Sequence, residues 1–125
     1  MIIVSGGSGT SSVEMIYKNG STCSFPDLPF KRYRHSQNGL VVCGGDHLGS
    51  DSCSTFTDGA WMNISHNLAV QRRGHVSWTS PDGIFLIGGD DTDAKNTTEL
   101  LSATSSSTTP SFQLPFNIGR YAFNI

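Results

Sequence analysis

The chain is short of charged residues, and it has no long apolar run. Charged residues make up 14% of its 125 residues. Its longest apolar stretches, such as residues 84–87, are far shorter than the roughly 20 residues of a membrane-spanning helix. Its first residues also lack the basic start and apolar stretch of a signal peptide. We therefore expect no membrane insertion.

Basic residues are scarce as well. Eight Lys and Arg stand against ten Asp and Glu, which gives a formal net charge of −2. A protein that binds nucleic acid needs a clustered basic surface to neutralise phosphates. The small cluster of Lys31, Arg32 and Arg34 is the one weak exception, so we expect no nucleic-acid partner.

Helix-type periodicity is almost absent, because apolar residues rarely recur at positions i, i+3, i+4 and i+7. The chain has 14 glycines and many serines and threonines. Short segments of strand-forming residues alternate with turn-forming residues such as Asn38-Gly39 and Pro81-Asp82-Gly83. The pattern predicts an all-β fold.

The strand-forming segments repeat. Three tetrapeptides, each apolar apart from its last position, run into a glycine pair, and the pairs are Gly6-Gly7, Gly44-Gly45 and Gly88-Gly89. Their first glycines are 38 and 44 residues apart. Two Leu-Pro-Phe triplets, which begin at Leu28 and Leu114, are 86 residues apart, or two periods of about 43. Two separate signals thus give one repeat length.

An apolar strand that ends in Gly-Gly, repeated at this period, resembles the kelch repeat, which forms one four-stranded blade of a β-propeller. Residues 72–75 (Arg-Arg-Gly-His) and Trp61 also fit kelch usage. The resemblance implies a partial propeller of two complete blades plus a third split between the two ends. The blades would comprise residues 1–32 (partial), 33–72 and 73–119, with the start of another at 120–125. The glycine pairs would supply positive φ and close backbone approach.

The predicted strands can form three blades, which is too few for a closed ring, because propellers have roughly four to eight blades. Two interpretations remain open. The sequence is either a piece of a longer propeller protein, or residues 121–125 of one copy complete the N-terminal blade of the next copy. In the second case two copies associate head to tail and close a six-bladed ring.

Three cysteines and three glycosylation sequons bear on location. Cys43 ends one predicted strand and Cys53 begins the next, so the two residues can lie within disulfide range, and Cys23 would then remain unpaired. The alternative is three reduced, buried thiols. The sequons fall at turns or outer strands, at Asn19, Asn63 and Asn96. Together these features favour an extracellular or secreted protein, with a cytoplasmic location as the alternative.

No catalytic motif is present, so we predict no metal and no cofactor. His35 and His75 occupy equivalent repeat positions and are expected to be structural. The turn with Asp90, Asp91 and Asp93 has carboxylates that could bind Ca²⁺, but a solvated acidic turn explains them more simply. Residues 105–109, all Ser or Thr, are expected to form a loop.

The resemblance implies a non-enzymatic module that binds a protein partner through loops on a rigid scaffold. The candidate loops are residues 46–52, 71–74 and 90–96, and the candidate contact residues are Tyr33, Arg34, Arg72 and Arg73. The alternative is a fragment of a galactose-oxidase-like copper enzyme. Its site would need Tyr and His ligands and a cross-linked Cys, and the motifs around Tyr17, Tyr33 and Tyr121 offer no match.

Overall fold

The computed structural model describes residues 1–46 and 50–102, together with the backbone of residues 106–108. This part of the chain is all-β and contains no helix, which confirms the predicted fold class. The strands are β1 (Ile2–Ser5), β2 (Val13–Ile16), β3 (Thr22–Phe25), β4 (Ser36–Asn38), β5 (Val41–Cys43), β6 (Cys53–Thr57), β7 (Ala60–Asn63), β8 (Val76–Ser80), β9 (Gly83–Ile87), β10 (Thr98–Leu101) and β11 (Ser106–Thr108).

The strands form three antiparallel sheets, and in each of them consecutive strands pair. Sheet 1 contains β1, β2 and β3. Sheet 2 contains β4 to β7, and sheet 3 contains β8 to β11. The arrangement of these sheets as propeller blades remains a prediction, since the described residues do not form a closed ring.

Tight turns join the strands where the sequence carries turn-forming residues. Between β6 and β7, Asp58 and Gly59 both have positive φ, at 53° and 84°. Two consecutive positive φ values give a two-residue hairpin whose twist matches that of the flanking strands. Between β4 and β5, Gly39 has a φ of 57°.

One local prediction is wrong. Residues 105–109 were expected to form a loop, but Ser106–Thr108 forms β11 and pairs with β10, with Glu99 opposite Thr108. Ser and Thr do not exclude an extended conformation, and the open edge of β10 offers backbone partners for it. The sequence also predicts a strand at residues 111–114, and both this segment and residues 120–125 lie outside the described residues.

Sheet 2 lies between the other two sheets and contributes to two cores. Neighbouring residues of a strand point to opposite faces. On β5, Val42 faces sheet 1 and Cys43 faces sheet 3. The first core contains Val13, Leu28, Val42 and Trp61. The second contains Cys43, Cys53, Leu68, Leu86 and Leu101.

The first glycine pair is the place where sheet 2 docks onto sheet 1. The amide of Gly7 donates to the carbonyl of Arg32, which lies in the segment that leads into β4, at 2.8 Å. Gly6 has a φ of 66°, and a Cβ there would collide with this carbonyl and lie 2.9 Å from the His35 ring. Only glycine therefore permits this approach.

The second glycine pair docks sheet 3 onto sheet 2 in the same way. The amide of Gly45 donates to the Arg72 carbonyl at 2.8 Å. A Cβ on Gly44, whose φ is 64°, would collide with that carbonyl and lie 2.7 Å from the His75 ring. The repeat seen in the sequence is thus a repeated sheet junction.

Candidate functional site

Arg32 is a buried structural residue at the first junction. Its guanidinium donates to the carbonyl of Gly44 at 2.6 Å and to the hydroxyl of Ser52 at 2.7 Å. Burial lowers the pKa of Arg32 to about 10, although the charge of Asp51 opposes this shift. The side chain therefore ties the loop ends of sheet 2 together and does not reach the surface.

Arg72 occupies the equivalent position one repeat later and is also fully buried. It pairs with the buried carboxylate of Glu99 at 3.1 Å and donates to the carbonyl of Gly88 at 2.9 Å. Burial lowers its pKa, although Glu99 acts in the opposite direction. The structure therefore removes Arg72 from the predicted contact residues. The 40-residue spacing from Arg32 was the available signal for a shared structural role.

Arg34 stays partly exposed, with 29% of its side chain accessible. It forms ion pairs with Asp46, which follows the second glycine pair, and with Asp90, which follows the third, at 3.2 Å for Asp90. Its φ is 55°, close to the 63° of Gly74 at the matching position of the next repeat. The guanidinium also lies 5.4 Å from the Tyr33 ring centroid.

Arg73 is the second surface arginine, with 40% of its side chain accessible. It pairs with Asp46 at 2.8 Å and with Asp91 at 3.4 Å. Arg34, Asp46, Arg73, Asp90 and Asp91 together are called the Arg–Asp network below. Two arginines and three aspartates give it a formal charge of −1, and it joins the loops of sheets 2 and 3.

Asp46 is the centre of the network, because both arginines contact its carboxylate. Burial alone would raise the pKa of Asp46, but the hydrogen bonds from Arg73 and Arg34 outweigh burial and lower it. The same bonds raise the pKa of both arginines. All three groups are therefore held in their charged forms.

The acidic turn differs from the prediction of a solvated segment. Asp90 and Asp91 both pair with arginines, whereas Asp93 is exposed. Within residues 1–46 and 50–102, no group of three or more His, Cys, Asp or Glu is placed to hold a metal ion. The recurrence of Gly-Gly-Asp at residues 44–46 and 88–90 is the feature of the sequence that corresponds to this network.

The two repeated histidines lie at the sheet junctions. The Nε2 atom of His35 lies 3.1 Å from the Ser5 hydroxyl, and that of His75 lies 2.7 Å from the Ser36 hydroxyl. Burial, with help from the Arg72 charge, lowers the pKa of His75 to about 3. Ser36 and His75 are both buried, so this pair offers no access to a substrate.

The predicted disulfide between Cys43 and Cys53 is present and links neighbouring strands directly. Both residues are buried in the second core. Cys23 is free and half-buried, and its Sγ lies 3.7 Å from the Tyr17 hydroxyl.

The three predicted glycosylation sites differ in exposure. Asn19, in the turn between β2 and β3, is exposed, and so is Asn63 at the end of β7. Asn96 is half-buried. The Asn63 side chain already accepts a hydrogen bond from Ser54 at 2.8 Å. Asn19 and Asn63 are therefore the two exposed sites, and the Asn19 side chain likewise accepts a bond from the Ser21 hydroxyl at 2.7 Å.

Comparison of the sequence with protein-family models gave no match, and comparison with curated proteins gave none either. The kelch resemblance therefore rests on the glycine pairs, the repeat length and the residues around Arg72. No helix long and apolar enough to cross a membrane is found among the residues that the structure describes.

Proposed function

We propose that this chain is a non-enzymatic protein–protein interaction module built from kelch-like repeats. The observation that carries the proposal is the Arg–Asp network, in which loops of two sheets bring Arg34 and Arg73 to one surface. Both arginines are partly exposed and are held by carboxylates on their inner side. The solvent-exposed side of the two arginines can donate hydrogen bonds to carbonyl or carboxylate acceptors on a partner protein.

The physical argument is preorganisation. Arginine loses much side-chain freedom when it binds a partner, and that loss weakens binding. Here Asp46, Asp90 and Asp91 already restrict the two arginines in the free protein. Tyr33 lies beside Arg34, and Tyr and Arg are the residue types that most often dominate binding energy at interfaces.

The binding test compares variants of the full chain as bait. A protein that binds the unmodified chain would be purified, and its affinity for the Arg73→Glu variant would be measured by titration. Lys18→Ala is the matched control. Lys18 is an exposed basic residue in the β2–β3 turn. We expect Arg73→Glu to weaken binding at least about tenfold, since a surface charge is reversed next to its acceptor, and Lys18→Ala to leave it unchanged. Equal binding by both variants would refute the proposed surface.

A fragment of a copper enzyme is the second candidate, and the contact between Tyr17 and Cys23 is the feature that favours it. A thioether bond between the Cys23 sulfur and a ring carbon of Tyr17 would replace one S–H and one C–H bond, with dioxygen as the oxidant that accepts the two hydrogens. The cross-linked peptides would be lighter by two hydrogens, so peptide mass mapping detects the bond directly. Copper uptake together with that mass loss would support the enzyme. Unmodified peptides and no copper uptake would support the binding module.

We also propose an extracellular location. The buried disulfide and the exposed sequon at Asn19 support it, because disulfides persist in oxidising compartments. Expression through a secretory pathway should yield a chain whose mass falls on deglycosylation. The variant Asn19→Gln should lose part of that shift, and an unshifted mass with three free thiols would contradict the location.

A further inference from the structure

The stack of three sheets has two different outer faces, and both carry exposed apolar side chains. Ile3 packs against the first core, so its neighbours Ile2 and Val4 point away from sheet 2. They are 64% and 49% exposed. This surface, Ile2 and Val4 of β1, is called the sheet 1 outer face.

The other end of the stack carries an exposed tryptophan. Leu86 packs into the second core, so Phe85 beside it points away from sheet 2. Trp78 lies directly opposite Phe85 in the β8–β9 pair and stacks on it, with ring centroids 5.9 Å apart. Trp78 is 52% exposed. This surface, Trp78 of β8 and Phe85 of β9, is called the sheet 3 outer face.

The two outer faces correspond to the two sides of an interface that occurs twice inside the chain. Sheet 2 packs one face against sheet 1, and sheet 3 packs the matching face against sheet 2. By the repeat, Val4 is equivalent to Val42 and Leu86, which are both buried at those junctions. Phe85 is equivalent to Val41, which packs against sheet 3. Each outer face is therefore one half of the repeated junction.

The strand β1 also has an open edge among the described residues. In sheets 2 and 3 the strand that precedes the glycine pair has a partner on each side, whereas β1 pairs with β2 alone. A cleft of about 440 Å³ lies here, lined by Met1, Ile3, Gln37, Gly39 and Leu40. The Gln37 side-chain amide donates to the Ile3 carbonyl at 3.3 Å, so the edge accepts a donor from outside sheet 1.

We propose that the sheet 1 outer face of one copy stacks on the sheet 3 outer face of a second copy. The occupant of each outer face is a second copy, because each face supplies the half of the repeated junction that the other lacks. Two copies supply six described sheets, a number within the roughly four to eight blades of a propeller.

This interface is heterologous, since two different faces meet, and heterologous contacts form rings when the rotation closes. The proposal is independent of the partner surface at the Arg–Asp network. It explains why exposed apolar residues occur at both ends of the stack, where an isolated monomer would leave them in water.

Light scattering of the purified full chain and of single variants tests the proposal. We expect the unmodified chain to be a dimer, and Val4→Lys and Trp78→Lys to be monomers. Met62→Lys is the matched control, because Met62 is 57% exposed on β7 and belongs to neither outer face. It should remain a dimer. Circular dichroism verifies that each variant keeps its β structure.

Mixing the two disrupted variants provides the sharper test. Val4→Lys keeps an intact sheet 3 outer face, and Trp78→Lys keeps an intact sheet 1 outer face. A one-to-one mixture should therefore form a heterodimer, which an interface between two identical faces could not do.

Two results would overturn the proposal. They are a monomeric unmodified chain and a dimer that persists in both lysine variants. A monomer that still binds a partner through Arg73 would refute the self-association and leave the proposed function intact.

Discussion

The two sheet junctions use the same backbone arrangement and different side-chain chemistry. In both, a glycine pair receives an arginine carbonyl and a histidine ring from the next sheet. The first junction is closed by Phe25, Phe56 and Trp61, whose rings lie 4.3 to 6.4 Å apart. The second contains a disulfide, the buried pair of Arg72 and Glu99 and, at its rim, the Arg–Asp network.

The comparison teaches that the repeat preserves the docking of backbones, while the charges are specific to one junction. Ser54 contributes a hydroxyl near Arg32, at 3.4 Å, whereas the equivalent residue near Arg72 is Glu99. After the glycine pair, Ser8 stands in sheet 1 where Asp46 and Asp90 stand in the other two sheets. The second junction is therefore the one expected to depend on charge.

Breaking the buried ion pair should have the largest effect. The change Glu99→Gln leaves the Arg72 charge buried beside a neutral amide, and such changes cost about 3 to 5 kcal/mol. We expect the free energy of unfolding in urea to fall by that amount. Ser54→Ala, at the equivalent place near Arg32, should cost far less. Equal losses would mean that the two junctions do not differ in their dependence on charge.

Adding a methyl group to the second glycine pair should have the next largest effect. In Gly44→Ala the new Cβ collides with the Arg72 carbonyl and strains a residue of positive φ, so we expect a loss of about 3 kcal/mol. Gly59→Ala is the control, because its φ is also positive but no atom lies within 4 Å. It should cost only about 1 kcal/mol. Thermal unfolding of both variants measures the difference.

Acid should weaken the second junction. Because the folded-state pKa of His75 is lowered to about 3, His75 stays neutral when folded and becomes protonated when unfolded. The unfolded state then binds more protons, so this stability is complete above about pH 6.5 and is lost as the pH falls toward 3, by up to about 1.4 kcal/mol per pH unit. Urea titrations from pH 7 to 5 should show a steeper decline for the unmodified chain than for His75→Gln. Parallel curves would exclude His75 as the cause.

Replacing the strained surface arginine should have the smallest effect on stability. The change Arg34→Gly removes two partly exposed ion pairs but also relieves a positive φ, since Gly74 fills the matching position in the next repeat. We expect an almost unchanged urea midpoint together with weaker partner binding. A large fall in the midpoint would show that the Arg–Asp network is mainly structural.

Several features could be predicted from the sequence because they depend on local patterns. The turn residues Asn38-Gly39 and Pro81-Asp82-Gly83 favour hairpins, and the short apolar segments that follow them define strands. Strand order placed Cys43 and Cys53 within disulfide range but left reduced thiols as the alternative, and the structure shows the disulfide. The strand at Ser106–Thr108 was missed because its residues have no apolar alternation and pair through the backbone of β10.

The candidate site was predicted only in part, because its residues were assigned from their type. Arg72 and Arg73 are adjacent and chemically identical, yet one is buried beside Glu99 and the other lies at the surface with Asp46. Their side chains point to different sides of the loop. The arginine pair by itself does not indicate which residue will meet a carboxylate from a strand 27 residues away, and the 40-residue spacing from Arg32 was the one signal for it.

The sequence by itself determined the all-β class, the repeat length and the glycine pairs. These properties arise from residues close together in the chain, where backbone conformation and side-chain alternation decide the outcome. Tertiary structure alone decided which arginine is buried, which aspartates are paired and which apolar residues remain exposed at the two outer faces. Burial and ion pairing depend on distances between sheets, and those distances exist only once the sheets have packed.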